Sequence, residues 1–485
     1  MITRRPITAA MAALALAFAL PLAPRPARAS GLDAPIVGPG DAGPTTPSAA
    51  AVAWNPAALA FVKQREILLG AGLIIGRVTY QRERRGVYQT PDTFQFKTPL
   101  DPANVAPEKT GMADPVAATP IAPTGDAFIA VPVHERLTLG AGVYVPYAAA
   151  LGFPEDGAQA FQLRQAFIVS SFITASAGVR VTDELAAGLG VSYVSGFAEL
   201  SKLQDFASLP EFQRAFSNDP INQPNDFGPD APSEVRELDV LSRPISVKRA
   251  FSHGATFNLG LTWMPSDALT VAAAYQHGAR MRYRGDVAID MNDEFFTQDL
   301  AAQGLRYKPL VKGDAELSFR LPRRLTLGAG YQISDKLRVD GFVQWVTYSD
   351  VDAFVVETRS PDLAQPRLGI GDRVSVRLPR NWNDTVWIEA RGQYQMTSFL
   401  RGWASAGYQS PASPDSTIDV ASPDGHRLIG AAGGELKVSD AVALLGDIRL
   451  QGILPRTVTT SDQDLGNGTY GLFIAAFGGH LRILF

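Results

Sequence analysis

The chain has no cysteine. That excludes disulfide frameworks, thiolate metal sites and cysteine nucleophiles, and in an oxidising compartment it avoids mispairing. Charge is scarce, at 19% of residues, and the five histidines (His134, His253, His277, His426, His480) are scattered without metal-ligand spacing. Neither a Gly-x-Ser-x-Gly elbow nor a phosphate loop occurs. No metal site, cofactor or catalytic constellation is expected, and the chain reads as a non-enzyme. A basic surplus is missing too: the formal net charge is −4, which offers no footprint for nucleic acid. Beyond the N-terminus no apolar run reaches about eighteen residues, so no transmembrane helix is expected.

Both ends of the chain carry clear signals. Arg4 and Arg5 precede an apolar run from Ala9 to Leu22, and Ala27-Arg28-Ala29 precedes Ser30. A charged region, an apolar region and a small-x-small site make residues 1–29 a secretory signal peptide, too short in its apolar run for an anchor. Removing its four arginines takes the charge from −4 to −8. The last stretch, Tyr470 to Phe485, is an alternating strand that stops on an aromatic residue. Phe473, Phe477, Leu481, Ile483 and Phe485 fall on one parity, His480 and Arg482 on the other. Soluble domains rarely end this way, because free termini fray into water. A barrel in a membrane needs its last strand complete, because an open edge in lipid leaves backbone groups unpaired.

Period-two alternation recurs between the ends. Val442, Leu444, Ile448 and Leu450 oppose Asp447, Arg449 and Gln451, and Val386, Ile388 and Ala390 oppose Glu389, Arg391 and Gln393. One face suits lipid and the other a polar lumen. A soluble sandwich gives the same parity. The turns discriminate better. Short ones, each carrying an Asp expected to bond the local backbone, stand at 182–185, 266–269, 334–337 and 439–442. Long Pro-rich connections fall near 84–125, 202–252, 288–313, 357–383 and 409–426. Short turns at one end and long loops at the other fit an outer-membrane barrel. Fourteen strands are expected: 66–83, 126–133, 137–148, 163–181, 185–201, 253–264, 269–287, 314–333, 337–356, 384–396, 399–408, 427–438, 442–454 and 469–485.

Four motifs in order resemble those of FadL-like outer-membrane transporters of long-chain fatty acids and aromatic hydrocarbons. Val52-Ala53-Trp54-Asn55-Pro56-Ala57-Ala58-Leu59 is similar to the Asn-Pro-Ala motif that closes the family's N-terminal hatch. Leu321-Pro322, followed by Trp345 and Tyr348-Ser349, resembles its Leu-Pro segment and aromatic-x-Ser strand end. Asn381-Trp382-Asn383-Asp384-Thr385 and Ser422-Pro423-Asp424-Gly425-His426-Arg427 resemble its approaches to late strands. Pro47 and Ser48 stand where the family often has acids. The resemblance implies an all-β barrel of about fourteen strands (66–485) plugged by a hatch (30–65), in the outer membrane of a Gram-negative-type bacterium. Apolar ligand would dock on loops, pass to an interior pocket and leave sideways through a kinked strand. Asn55, Pro56 and Ala57 would fix the hatch, and the mature N-terminus near Ser30 would gate the passage. Outer-membrane lipid, lipopolysaccharide and, through the last strand, the barrel assembly machinery would be its partners.

Candidate ligand contacts are Leu203, Phe206, Leu209, Phe212 and Phe216, at near-helical spacings. Phe295, Phe296 and Leu300 form a second set, on a helix capped by Asn292 or Asp293. These side chains either meet ligand or pack the loops onto the rim. Pro146 removes a ladder donor, so it either creates the lateral opening or begins the next loop. The reading is passive uptake of a hydrophobic compound. The alternatives are a water-filled porin and an adhesive or structural surface barrel.

Overall fold

The computed structural model describes residues 33–35, 37–85, 114–206, 237, 242–302, 304–366 and 371–485. The segment 1–29, Ser30, Leu209, Phe212 and Phe216 lie outside the described residues.

Fourteen antiparallel strands close into a barrel. They are β1 (Glu66–Arg82), β2 (Ile121–His134), β3 (Leu137–Gly152), β4 (Gln165–Arg180), β5 (Leu185–Asp205) and β6 (Ser242–Ser266). Four broken strands follow: β7 (Leu269–Gln276, Arg280–Asp290), β8 (Leu310–Arg320, Arg324–Gln332), β9 (Leu337–Val346, Ala353–Arg359) and β10 (Arg373–Pro379, Thr385–Gln395). The set ends with β11 (Leu400–Gln409), β12 (Arg427–Lys437), β13 (Val442–Ile453) and β14 (Gly468–Leu484). β14 pairs with β1 over its whole length, from Glu66↔Leu484 to Arg82↔Gly468. The terminal strand therefore seals the wall.

The parity seen in the sequence decides which face is which. Leu69, Leu325, Leu327, Leu444, Leu450, Phe473 and Phe477 are exposed on the outer face, while Thr174, Ser192, Asn258, Gln393 and Gln451 are buried inside. A sandwich would bury the apolar face; here it forms a continuous outer belt, which only lipid can cover. Exposed aromatics stand at both rims of the belt, Trp263, Tyr394 and Phe485 near the short turns and Tyr193 and Trp345 towards the long loops. Among the described residues no helix is long and apolar enough to cross a membrane.

The short turns lie where expected, but in three of the four a hydroxyl rather than the aspartate bonds the turn amides. Thr182 Oγ1 accepts from the Glu184 and Leu185 amides, Ser266 Oγ from Leu269, and Ser439 Oγ from Ala441 and Val442. The same device recurs unforeseen at Thr397, which accepts from Leu400. The residue at the first turn position has its side chain within reach of the returning amides, whereas the following aspartates face outward, Asp183 to Arg136 and Asp440 to Lys437.

Other differences from the sequence reading sit above the lipid belt. β6 begins at Ser242 rather than 253, β10 at Arg373 rather than 384, and β5 runs on to Asp205, so Leu203 is strand and not loop. These extensions carry charge and proline on faces wetted by solvent, which hides the apolar alternation. The breaks at 277–279, 321–323, 347–352 and 380–384 were not foreseen either. They are laced together by Leu321 N to Ala279 O (2.8 Å), Thr347 N to Arg323 O (2.9 Å) and Arg380 N to Asp352 O (2.7 Å). Below them the outer face carries Val271, Leu325, Trp345 and Val386; above them it carries Arg280, Arg282, Arg320 and Arg377. The breaks thus mark where the wall leaves the lipid.

Candidate functional site

Residues 33–35 and 37–65 run through the lumen, and the wall is shaped to take them. Gly178 on β4, Gly188 on β5 and Gly260 on β6 lie in one cross-strand row, Gly178↔Gly188 and Gly188↔Gly260. Against this row packs the 3₁₀ helix Pro56–Phe61. A Cβ at Gly188 would stand 2.3 Å from the Ala57 nitrogen, and one at Gly260 would stand 2.0 Å from Asn55 Oδ1. The glycines therefore permit backbone-to-backbone approach that no other residue allows. Asn55 is fully buried. Its Nδ2 donates to Pro44 O (2.9 Å) and to Thr262 Oγ1 on β6 (2.8 Å), and its Oδ1 accepts from Ala57 N (3.1 Å). Pro56 opens the helix, where its missing N–H costs nothing.

Polar side chains of the wall hold the rest of the segment. Asp126 accepts from Gly38 N (3.0 Å), Asp447 from Gly40 N (3.2 Å), Asp340 from Thr45 Oγ1 (2.8 Å) and Glu66 from Ala49 N (3.0 Å). Asp126 also meets His480 across β1, where Gly70 leaves room for the pair. Pro47 and Ser48 supply no acid, but Asp41 does. It pairs with Arg401 at 2.6 Å and lies 3.8 Å from Arg482. Burial alone would push the Asp41 carboxyl up; Arg401, Arg482 and Arg391 outweigh it and hold it below its ordinary range. Arg391 donates to the carbonyls of Gly40 and Ala42, and Arg449 pairs with Glu389. These lumen arginines are therefore occupied.

Among the described residues the wall has one discontinuity facing lipid. β2 and β3 pair only from Ala127↔Val143 down to the turn. Above that point β2 stays with β1 (Gly70↔Asp126 to Ile75↔Ile121), and β3 stays with β4 (Tyr147↔Ser170 to Gly152↔Gln165). Among the described residues no ladder joins the upper edges of β2 and β3 to each other. The β3–β4 ladder also slips between Tyr144 and Tyr147, so Pro146 sits in a bulge inside β3 and does not begin a loop. The N-terminal segment enters here. Ala34 N donates to Pro146 O (3.0 Å), Asp33 bridges Tyr147, and the Asp33 carboxylate pairs with Arg324, which also donates to Tyr147 OH (3.1 Å).

Behind this contact lies a cavity of about 90 Å³, between the segment and the wall, where Trp54, Phe342 and Trp387 stand beside the polar Gln344, Glu389 and Arg449. The aromatic rings meet at 5.0 to 6.3 Å. A second cavity of about 290 Å³ lies at the upper end of the gap, with Ile121 on one side and Leu151, Phe167 and Leu200 on the other. Cavities near 150 Å³ hold a benzene ring, so the second already has room for one and the first needs the segment to shift.

At the loop end, the structure brings four of the sequence candidates together. Phe206 meets Phe296 edge-on at 5.3 Å, and Phe295 lies 5.4 Å from Phe296. Phe206, Phe296 and Leu300 are buried and Phe295 is half-buried. The local helix is a π turn, Phe295–Asp299, with Asp293 Oδ1 accepting from Phe295 N (3.0 Å). Leu203 is not among them; it packs with Ala160 and Phe161. Phe342, Trp387 and Arg324 were missed. Each follows the inward parity of its strand, the one signal that could have found them.

The family model for outer membrane protein transport proteins (OMPP1/FadL/TodX) matches residues 29–467. A Neisseria meningitidis serogroup B chain named as an outer membrane protein is 23% identical over 450 residues, covering 90% of this chain and 88% of that one. The structure is similar to a Pseudomonas aeruginosa FadL homologue (TM-score 0.71, 19% identity, 93% of this chain and 99% of that one). It is also similar to the Pseudomonas putida toluene transporter TodX (TM-score 0.61, 15% identity, 94% of this chain and 97% of that one). With an outer apolar belt, a polar lumen and a match over nearly its whole length, the chain belongs to the OMPP1/FadL/TodX family of outer membrane transport proteins.

Proposed function

We propose that the chain takes up hydrophobic small molecules by passive diffusion and releases them sideways into the membrane through the β2–β3 gap. The observation that carries this is the docking of Asp33 and Ala34 onto the Pro146 bulge, where the neighbouring strands β2 and β3 part. In this reading residues 33–65 are a hatch, Asn55 to Ala57 hold it against the glycine row, and Asp33–Ala34 is its latch. The aromatic lining of Trp54, Phe342 and Trp387 suits an aromatic hydrocarbon or an alkyl chain, and the likeness to a toluene transporter favours the same class. Each buried methylene contributes about 0.8 kcal/mol, enough for capture from dilute solution. Phe206, Phe295, Phe296 and Leu300 would receive the ligand first, by parting from one another. A water-filled porin would need an open lumen, and the segment with its buried ion pairs stands against that. The exposed Phe485 end of β14 would engage the assembly machinery.

The absence of native cysteine makes a clean test possible. Asp33→Cys with Tyr147→Cys places two thiols at a bridged pair, where the Cα separation of antiparallel neighbours allows a disulfide. The oxidised protein should pass no labelled hydrocarbon into vesicles, and reductant should restore uptake. Equal uptake in both redox states sinks the proposal.

A further inference from the structure

On the outer wall, just above the lipid belt, three arginines crowd together with no counter-ion among the described residues. Arg280 on β7 stands directly opposite Arg320 on β8, and the next outward residue of β7 is Arg282, opposite Ser318. Arg280, Arg282 and Arg320 are exposed, and among the described residues no carboxylate comes within ion-pair distance of any of them. Their neighbours are paired: Arg284 with Glu316 at 2.7 Å, Arg323 with Asp350 at 2.8 Å, and Arg249 with Asp286. Glu316 and Asp350 feel Arg282 and Arg320 only at longer range. Like charges directly opposite on one face of a sheet repel and weaken the pairing. The wall pairs the neighbouring Arg249, Arg284 and Arg323 with acids and, among the described residues, leaves these three without one.

Height identifies what would match them. The three lie immediately above the breaks in β7 and β8. Tyr275 and His277, hydrogen-bonded to each other at 2.9 Å, stand just below on the outer face, with His277 stacked on Phe257. Trp345 stands at the same level on β9, its Nε1 donating to Asp384. Aromatics of this kind sit at the lipid–water interface. The arginines therefore face the headgroup layer of the outer leaflet, and guanidinium forks fit phosphate oxygens in bidentate fashion.

We propose that Arg280, Arg282 and Arg320 form a binding site for the phosphate groups of an outer-leaflet phosphorylated glycolipid, the lipid A part of lipopolysaccharide. The glycolipid's acyl chains would lie along the belt below, over Val271, Leu325 and Leu327, while its phosphates bridge the two strands. The lipid would then act as the missing counter-ion that pins β7 to β8.

The test uses the full chain in detergent micelles, with lipid A, phosphatidylglycerol or inorganic phosphate as separate probes, and bound lipid A read by native mass spectrometry. Arg280→Ser with Arg320→Ser should bind lipid A about tenfold more weakly, the loss of two charge-assisted contacts. Arg280→Lys with Arg320→Lys should retain most of the binding, Arg249→Ser should leave it unchanged, and millimolar inorganic phosphate should not compete. Heat-modifiable gel mobility reports whether the barrel has formed; should the double serine variant fail to fold, Arg282→Gln is read in its place and should weaken lipid A binding. Undiminished binding in the serine variant or in its Arg282→Gln substitute overturns the proposal, as does an equal loss in Arg249→Ser. Competition by inorganic phosphate would reduce the site to an adventitious ion only, and equal binding of phosphatidylglycerol would remove the glycolipid assignment.

Discussion

Asp33→Ala is the sharpest probe of the latch. The Asp33 and Arg324 side chains are each only 13% exposed, so the small values typical of solvated surface pairs do not apply. A charge-assisted contact of this kind contributes about 1.5 to 3 kcal/mol, against about 1 kcal/mol for the neighbouring Ala34–Pro146 hydrogen bond that the variant keeps. Removing the carboxylate should therefore shift the latch from docked towards undocked by roughly 10- to 150-fold. Arg324 keeps the Tyr147 hydroxyl as a partner, and none of the strand ladders includes Asp33, so the barrel should stay intact. If undocking limits release, initial uptake of a labelled hydrocarbon into proteoliposomes should rise, up to that factor or until another step takes over. Asp33→Glu should stay near wild type, and a spin label at residue 34 should become mobile only in the alanine variant. Uptake and label mobility both unchanged in Asp33→Ala would refute the latch, whatever the variant does to stability.

Two further perturbations reach other parts of the site. Gly188→Val puts a branched side chain where the Ala57 nitrogen is 2.3 Å from even a Cβ, so residues 55–60 should leave the wall; planar-bilayer conductance should rise above that of the wild type, and an unchanged trace would mean the segment does not plug the lumen. In the loop before β12, burial raises the Asp424 carboxyl to about 7 despite the amides of Ala412 and Ser413 that it accepts. Its folded value is above its unfolded one, so its contribution is fully present below about pH 4 and is lost as pH rises towards 7. Amide protection at Ala412 and Ser413 should fall across that window, and Asp424→Asn should flatten the fall; equal slopes in both proteins would exclude Asp424 as the titrating group.

How much of this could be read in the sequence depends on where each element sits. Within the lipid belt, one face must be apolar and the other polar, so parity located all fourteen strands and assigned Phe477 outward and His480 inward without help from the fold. Above the belt both faces meet water or packed loops, parity disappears, and the upper parts of β6 and β10 read as loop. The breaks escaped for a related reason: Pro322 and Asn381 were seen as motif residues, but a break in one strand makes sense only once its neighbours are known to break beside it. The site divides the same way. Asn55-Pro56 was legible because the Asn-Pro-Ala motif that carries the resemblance is contiguous in the chain. The glycine row that receives it was not, because Gly178, Gly188 and Gly260 become one feature only through strand register. Asp41 was passed over because its three arginines come from β10, β11 and β14, far away in the chain.

In the proposed mechanism the gap and the latch make each other necessary. In lipid, a backbone group without a partner costs several kcal/mol, which is why spanning walls close. β3 above Val143 loses its β2 neighbour, and the bulge at Pro146 also takes it out of register with β4. Left alone, the Pro146 carbonyl would face hydrocarbon unpaired. Ala34 donates to it, so the segment that blocks the opening also repairs the wall. Undocking then exposes that carbonyl at the moment the path opens, and an empty open state is disfavoured by the same term that closes barrels in general. A ligand lying in the opening cannot donate to Pro146, but it displaces lipid and covers the parted edges with apolar surface, and it fills the aromatic cavity that the segment vacates. Opening is therefore favoured in proportion to the apolar area that cargo brings, and a polar solute of equal size gains nothing there. On this account selectivity for hydrophobic cargo resides in the cost of the unpaired wall as much as in the pocket. Replacing Pro146 by Ala, which restores a donor able to re-register β3 with β4, should lower uptake of apolar cargo while leaving the closed state as stable as before.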